Sequence, residues 1–229
     1  MLNVLYEDNH IIVVVKPQNI PSQADESQDK DMLTMVKEYV KEKYNKPNNV
    51  YIGLVHRLDR PTGGLMVFAR TSKAAERLSK QIADRELQKY YLAVVEGSPK
   101  EKFTRLVHYL KKDEKNNKVS VVPKLETGAK EAELEYTTLS KYEDLLSLVK
   151  VQLFTGRSHQ IRVQMSTIGN PIVSDIKYGA KQRICKDLSL WAYKIVFNHP
   201  VTKQVMQFSC YPPTENVPWK YFNLDILKL

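Results

Sequence analysis

The chain has 229 residues, enough for one large domain or two small ones with a buried core. Apolar residues make up 42% and charged residues 27%, an ordinary soluble profile. The longest apolar run, residues 11–15, is far shorter than the roughly 20 residues of a membrane span, and the N-terminus lacks the basic start and cleavage site of a signal peptide. We therefore expect a cytoplasmic protein that does not bind a membrane.

The net charge is +9, and basic residues are concentrated in two segments. Residues 99–130 contain nine Lys or Arg against four acids, and residues 177–194 contain five against one. Such a balance favours anionic partners, with nucleic acid first and acidic membranes second. Solubilising surface charge is the competing explanation, so charge alone does not establish RNA binding.

The sequence contains two cysteines, Cys185 and Cys210. They form no CxxC pair and have no nearby pair of histidines at ligand spacing, so neither a disulfide framework nor a zinc site is predicted. We expect two reduced thiols and no bound metal.

The N-terminal part of the chain predicts strands with helices between them. Strands are predicted over residues 4–6, 11–15, 65–69 and 88–97. One helix is predicted over residues 31–44, capped by Asp29 or Asp31. Another is predicted over residues 71–87, capped by Thr71 or Ser72, with Ala75, Leu78 and Ile82 facing inward.

The C-terminal part predicts mostly strands. They cover residues 118–122, 132–139, 145–154, 191–197 and 204–208, with one short helix after Ser158 that carries Ile161, Met165 and Ile168 on one face and stops at Gly169. Few helices and many turn-linked strands predict an α+β fold with a mixed, mostly antiparallel β-sheet and flanking helices and loops. One domain over residues 1–229 is the simplest organisation.

Three polar stretches could carry chemistry. Residues 56–60 read His-Arg-Leu-Asp-Arg and precede a Pro-Thr-Gly-Gly turn, where Asp59 is either fixed by turn amides or held at a strand end for chemistry. Tyr90 and Tyr91 alternate faces of a predicted strand, so either one could fill the core. Residues 157–162 predict either an anion-binding helix start or a solvent-exposed charged helix.

Together these stretches resemble the RluA-type RNA pseudouridine synthases. The family motif H-R-L-D-x-x-T-S-G matches residues 56–64 except at Gly63, and K-x-Y-x-A-x-V-x-G matches residues 89–97. The motif T-G-R-x-H-Q-I-R-x-H matches residues 155–162, and the following G-x-P-I-x-G-D is met at positions 169, 171, 172 and 175. The resemblance runs from about residue 4 to residue 208.

The resemblance implies the pseudouridine synthase catalytic fold, with an active-site cleft across the sheet. Pseudouridine formation detaches uracil from ribose at N1 and reattaches it through C5, and a carboxylate is the natural group to act at the electron-poor C1′. Asp59 is that carboxylate by resemblance, whether it attacks C1′ or removes the C2′ proton. Arg162 would be its charge partner, Tyr91 would lie against the uracil ring, and Arg57 would fill the stack after the base is flipped. The implied substrate-binding residues are His56, Arg57, Thr62, Arg157, His159 and Gln160.

Three positions depart from the family pattern. Gly63 replaces a usual Ser, Gln164 stands where His is common, and Ser174 stands where Gly precedes Asp175; these changes bear on substrate preference more than on activity. We expect no S4-type RNA-binding domain, because the first hairpin begins at the N-terminus.

The predicted substrate is ribosomal or transfer RNA, with no cofactor and no obligatory protein partner. An RNA-binding module without turnover is the main alternative, and a glycoside hydrolase with paired carboxylates is the second. The RNA-binding module is disfavoured by the presence of Asp59, Tyr91 and Arg162, because a module that only binds RNA needs basic residues but not these three. A glycoside hydrolase would need a second carboxylate beside Asp59, and no motif supplies one.

Overall fold

The computed structural model describes residues 2–181 and 184–227. The strands are β1 (Asn3–Glu7), β2 (Ile11–Lys16), β3 (Gly53–Leu54), β4 (Gly63–Ala69), β5 (Gln88–Glu96), β6 (Phe103–Asp113), β7 (Lys118–Val121), β8 (Lys130–Tyr142), β9 (Leu146–Leu153), β10 (Leu190–Asn198) and β11 (Val205–Ser209). The helices are α1 (Met32–Lys43), α2 (Ser72–Ala83) and α3 (Gln160–Thr167), and 3₁₀ turns cover Ile176–Tyr178, Trp219–Tyr221 and Leu224–Leu227.

The described residues form two compact units. The first contains those of 1–88 with 192–210, and the second contains those of 89–191 with 211–229. In the first unit, β2 pairs with β1 and β4, β3 pairs with β4, and β11 pairs with β10, all antiparallel. Every residue of β2 and β4 is buried, because these strands lie in the middle of the sheet and are rich in Val, Leu and Ile.

Two helices accompany the sheet of the first unit. Asp31 caps α1, and its side chain accepts a hydrogen bond from the Thr34 amide, which confirms one of the two predicted caps. Thr71 caps α2 in the same way. The predicted buried face of α2 was partly wrong, since Ala74, Leu78 and Gln81 are buried instead of Ala75 and Ile82. Gln81 is buried because its amide bonds the backbone of Asn198 in both directions.

The second unit contains five strands in the order β5-β9-β8-β6-β7. All four of these neighbouring pairs are antiparallel, which agrees with the predicted α+β class. Tyr91, Val151 and Tyr136 lie opposite one another across β5, β9 and β8. β6 was not predicted, because its four basic residues and its single buried face resemble a lysine-rich loop.

Three further sequence predictions concern disulfides, membrane-spanning helices and metal ligands. Cys185 and Cys210 are not joined by a disulfide. None of the helices in the described ranges has the length and hydrophobicity that a bilayer crossing requires. Within the same ranges, His, Cys, Asp and Glu side chains nowhere gather in threes as metal ligands would.

Candidate active site

The charged cluster of residues 56–60 lies in the irregular connection between β3 and β4. The sequence suggested a strand end, but β3 finishes at Leu54 and β4 begins at Gly63. Leu58 is buried, Asp59 is half-buried and Arg57 is exposed. The buried Leu58 anchors the loop while its neighbours reach toward solvent, which explains why an apolar residue stands among the charges.

Backbone hydrogen bonds hold the loop on both sides of Asp59. The Ser22 hydroxyl donates to the Leu58 carbonyl at 2.7 Å and accepts from the Leu58 amide at 3.1 Å. The Asp59 carbonyl accepts from the Thr62 amide at 2.9 Å, which closes a tight turn, and the Asn19 amide donates to the Arg60 carbonyl at 2.8 Å. The loop is therefore fixed through its main chain, with the Asp59 carboxylate outside these bonds.

Lys16, which the sequence analysis did not single out, also holds the loop. It is fully buried at the end of β2, and its ammonium group donates to three carbonyls: Pro17 at 3.0 Å, Ile20 at 2.6 Å and Arg60 at 2.9 Å. These acceptors match its three donors. Burial lowers the pKa of Lys16 to about 7, the Asp59 carboxylate opposes that shift, and Arg60 adds to it.

The remaining residues of the first motif have mainly internal contacts. His56 Nε2 accepts a hydrogen bond from the Val67 amide of β4 at 3.1 Å. Arg60 pairs with Asp25 and Asp29. Thr62 is only 2% exposed, so any contact with a substrate requires the surrounding loop to admit it. Gly64 has φ +117° and approaches the β10 backbone so closely that a Cβ would lie 2.2 Å from the Ala192 carbonyl oxygen.

Tyr91 lies on β5 in the second unit and is 6% exposed. Lys89, two residues earlier on the same strand, belongs to the same motif, and burial lowers its pKa. A Cβ on Gly156 would lie 3.4 Å from the Lys89 ammonium nitrogen. The two motif segments that contain these residues therefore meet within this unit.

Arg162 is the best-anchored candidate residue. It lies on α3, is 7% exposed, and donates through Nε and Nη2 to the two carboxylate oxygens of Asp175, both at 2.7 Å. Its guanidinium also lies 4.9 Å from the centre of the Tyr178 ring. Such a bidentate pair fixes the plane of the guanidinium. Asp175 matched the family pattern, but no sequence signal predicted it as the partner of Arg162.

His159 precedes α3 with a left-handed backbone, φ 53°. Its Nδ1 lies 2.6 Å from the Tyr178 hydroxyl, which also accepts a hydrogen bond from the Val119 amide at 2.9 Å. Tyr178 thus contacts both His159 and Arg162, although no predicted motif contained it.

Gln160 and Arg157 organise the turn before α3. Gln160 is 3% exposed, and its carbonyl oxygen accepts from the Thr155 hydroxyl at 2.8 Å and from the Arg157 amide at 3.0 Å. Its amide nitrogen donates to the Glu133 carbonyl at 3.0 Å. Arg157 is exposed and donates through Nε to the Glu131 carbonyl. Residues 160–165 are all buried, so one of the two predicted alternatives, the solvent-exposed charged helix, was wrong.

Two of the departures from the family pattern have structural explanations. Gln164 is fully buried and donates through its amide nitrogen to the Leu106 and Ala132 carbonyls, 3.0 Å from His108 Nδ1. Ser174 has φ 66°, a conformation that favours glycine, and its hydroxyl bonds the Cys185 carbonyl at 2.9 Å. Both are therefore packing positions.

Curated relatives resemble nearly the whole chain. The "Dual-specificity RNA pseudouridine synthase RluA" of Yersinia pestis is 34% identical, with 90% of this chain and 97% of the relative covered. An "Uncharacterized RNA pseudouridine synthase" of Aquifex aeolicus is 32% identical, with 93% of this chain and 70% of the relative covered. "Ribosomal large subunit pseudouridine synthase C" of Vibrio vulnificus is 30% identical over 90% of this chain and 64% of its own length.

A solved structure and a family model agree with these relatives. The human "RNA Pseudouridylate Synthase Domain Containing 4" has the same fold, with a TM-score of 0.78, 21% identity, and 96% of this chain and 90% of that chain covered. The sequence model described as "RNA pseudouridylate synthase" matches residues 10–167, more than half of the chain. The chain therefore belongs to the RluA family of RNA pseudouridine synthases, which are isomerases.

Proposed function

We propose that the chain isomerises uridine in ribosomal or transfer RNA, with Asp59 as the catalytic carboxylate. The C1′–N1 bond of the nucleotide breaks, a C1′–C5 bond forms, the hydrogen at C5 leaves as a proton, and N1 takes up a proton. Asp59 stabilises or attacks C1′, or removes the C2′ proton. The support is the match of its loop to the family motif, together with a main chain that is fixed on both sides of the carboxylate.

Tyr91 and Arg162 complete the proposed catalytic set. Tyr91 contacts the uracil ring, and Arg162 supplies a guanidinium whose orientation is set by Asp175. Arg162 also serves as the charge partner of Asp59, as the resemblance implies.

The exposed Arg57 fills the gap in the RNA stack after the uridine is flipped out, since its long side chain is only two residues before Asp59 in sequence. Substrate binding is supported by five further residues: His56, Thr62, Arg157, His159 and Gln160. The reaction occurs in the cytoplasm and needs no cofactor or protein partner.

The names of two relatives suggest the RNA. One relative is called dual-specificity, and another is named for the ribosomal large subunit. Comparing pseudouridine maps of ribosomal and transfer RNA from cells with and without the gene would identify the modified position. A site lost with the gene and restored by the wild-type chain alone supports the proposal.

The reaction itself is tested with RNA that carries tritium at C5 of uridine. The wild-type chain should release tritium into water, and Asp59→Asn should bind the same RNA without release. If the wild type binds RNA tightly and releases no tritium from ribosomal or transfer RNA, the chain is a binding module and the proposal is wrong.

A further inference from the structure

A cavity of about 330 Å³ lies in the second unit, and none of the predicted site residues lines it. This volume is within the range of about 300–1,000 Å³ that is typical of ligand pockets. Three lysines, Lys100, Lys102 and Lys141, line it together with Thr138 and Ser140. Pro99 and Leu139 complete the lining. The cavity thus concentrates positive charge, which is suited to an anion.

The lysines of this cavity have no ion-pair partner among the described residues. Lys100, Lys102 and Lys141 are exposed, and across the described ranges no carboxylate pairs with them or lines the cavity. Elsewhere in the same basic segment, Lys111 pairs with Glu126 at 2.7 Å and Lys112 pairs with Glu114. The cavity lysines are therefore available to an external anion, whereas Lys111 and Lys112 have internal partners.

The hydroxyl groups beside these lysines also lack partners. Thr138 is 6% exposed, and neither its hydroxyl oxygen nor that of Ser140 has a hydrogen-bond partner among the described residues. Buried polar atoms are usually hydrogen-bonded. Both oxygens are buried, so an anion in the cavity would contact the lysine ammonium groups and not these hydroxyls.

The cavity walls are held in place by the sheet. The Thr138 amide donates to the Lys102 carbonyl at 2.7 Å, which fixes the loop before β6 against β8. β8 also has an irregularity in its register between Thr138 and Ser140, where it pairs with β9. Bulges of this kind redirect side chains and are frequent beside functional sites.

We propose that this cavity binds a backbone phosphate of the substrate RNA, at a site separate from the catalytic residues. The proposal rests on the proposed function for the choice of RNA as the phosphate source. Ser140 is four residues along β8 from Tyr136, which lies two strands from Tyr91, so the cavity is about 16 Å from Tyr91. One folded RNA can span that distance.

Aromatic residues beside the cavity favour RNA over a small free anion. Tyr142, directly after Lys141, stacks on Tyr221 with ring centres 4.4 Å apart, and Lys220 lies 5.5 Å from the Tyr221 ring centre. Basic residues interleaved with half-exposed aromatic rings are typical of surfaces that bind single-stranded nucleic acid.

The test compares two triple variants with the same loss of positive charge. The first is Lys100→Ala/Lys102→Ala/Lys141→Ala, and the control is Lys111→Ala/Lys112→Ala/Lys115→Ala. Binding is measured by fluorescence anisotropy with labelled transfer RNA and large-subunit ribosomal RNA transcripts over a range of salt concentrations. The cavity variant should bind about tenfold more weakly, with the slope of log K against log salt reduced by about 1 to 2, and the control should change much less.

Tritium release separates this proposal from the proposed function. At saturating RNA, the cavity variant should release tritium as fast as the wild type, with only KM raised. Equal losses of affinity in both variants, or none in either, would overturn the cavity proposal while leaving the catalytic one intact. If the wild type releases no tritium, the catalytic proposal fails, and the binding comparison still decides the role of the cavity.

Inorganic phosphate, titrated at constant ionic strength, distinguishes the two possible sources of the anion. Phosphate should compete with RNA for the wild type and not for the cavity variant. If phosphate binds the wild type alone while both proteins bind RNA equally, the cavity is a site for a free anion and the RNA assignment is wrong.

Discussion

The loop that contains Asp59 and the helix that contains Arg162 hold their functional side chains in different ways. The loop is fixed through its main chain, by Ser22 at Leu58 and by Lys16 at the Arg60 carbonyl. Arg162 is fixed through its own guanidinium, which is paired with a carboxylate that is only 1% exposed.

This difference predicts which residues couple function to folding. A change to the Asp59 carboxyl leaves the main-chain bonds of its loop in place, so activity can be lost while the chain still folds. A change to Arg162 leaves the buried charge of Asp175 unpaired, so activity and stability fall together.

The largest expected effect is that of Asp59→Asn on turnover. Loss of a catalytic carboxylate should reduce tritium release by several orders of magnitude, because no other group in the loop can replace it. The chain should still fold, because the main-chain hydrogen bonds that hold the loop do not involve the carboxylate, and the free energy of unfolding should change far less than the activation free energy. Urea denaturation measures the second quantity, and a large drop in stability would show that the carboxylate also holds the loop.

Arg162→Ala should lower the free energy of unfolding by about 3–5 kcal/mol, because it leaves Asp175 buried without its partner. It should also reduce turnover, but that loss alone would not identify a catalytic role. Thermal denaturation and single-turnover tritium release are measured on the same preparation.

The double variant Arg162→Met/Asp175→Leu separates the two explanations. It removes both charges and keeps a similar volume, so it should recover most of the stability. Turnover should stay low if Arg162 acts in catalysis. If turnover recovered along with stability, Arg162 would have a structural role and no catalytic one.

Local sequence signals predicted much of the fold. Asp31 and Thr71 begin helices where capping rules place them, and the apolar segments of residues 11–15 and 65–69 form buried strands. The motifs also identified the Asp59 loop and the start of α3. These features depend on neighbours in the chain, so sequence patterns can reveal them.

Contacts distant in sequence explain what was missed. Lys16 finds one of its three acceptors at Arg60, 44 residues away, and Val119 bonds the Tyr178 hydroxyl across 59 residues. Composition cannot distinguish a buried lysine whose ammonium group has three carbonyl acceptors from an exposed lysine. The partner of Arg162 was also missed, because Asp175 lies beyond the end of α3.

Lys16→Met tests whether hydrogen bonds to the main chain hold the Asp59 loop in place. Methionine fills much of the lysine volume but leaves the Pro17, Ile20 and Arg60 carbonyls without their donor. The free energy of unfolding should fall by about 1–3 kcal/mol. Turnover should fall as well, because the segment after Asp59 loses its tether. Unchanged turnover with reduced stability would mean that the loop keeps its shape without Lys16.

The pH dependence of stability gives a second test of Lys16. Its pKa is about 7 in the folded chain and near 10.5 when unfolded, so between these values the unfolded chain binds more protons. The free energy of unfolding should therefore rise with pH across that window, by about 1 kcal/mol from pH 7 to pH 8. Lys16→Met should lack this contribution, and identical pH profiles for both proteins would contradict the shifted pKa.

The smallest expected effect concerns Thr62, which follows the Asp59 turn. Its hydroxyl is buried and has no hydrogen-bond partner among the described residues, although the family resemblance suggests that it binds substrate. Thr62→Val keeps the shape of the side chain and removes this unpartnered group, so the chain should become more stable by up to about 1 kcal/mol. If the Thr62 hydroxyl contacts the RNA when the loop opens, the substitution should also raise KM a few-fold. A gain in stability with unchanged KM would make Thr62 a packing residue, and the loop would then present only Asp59 and its charged neighbours to the substrate.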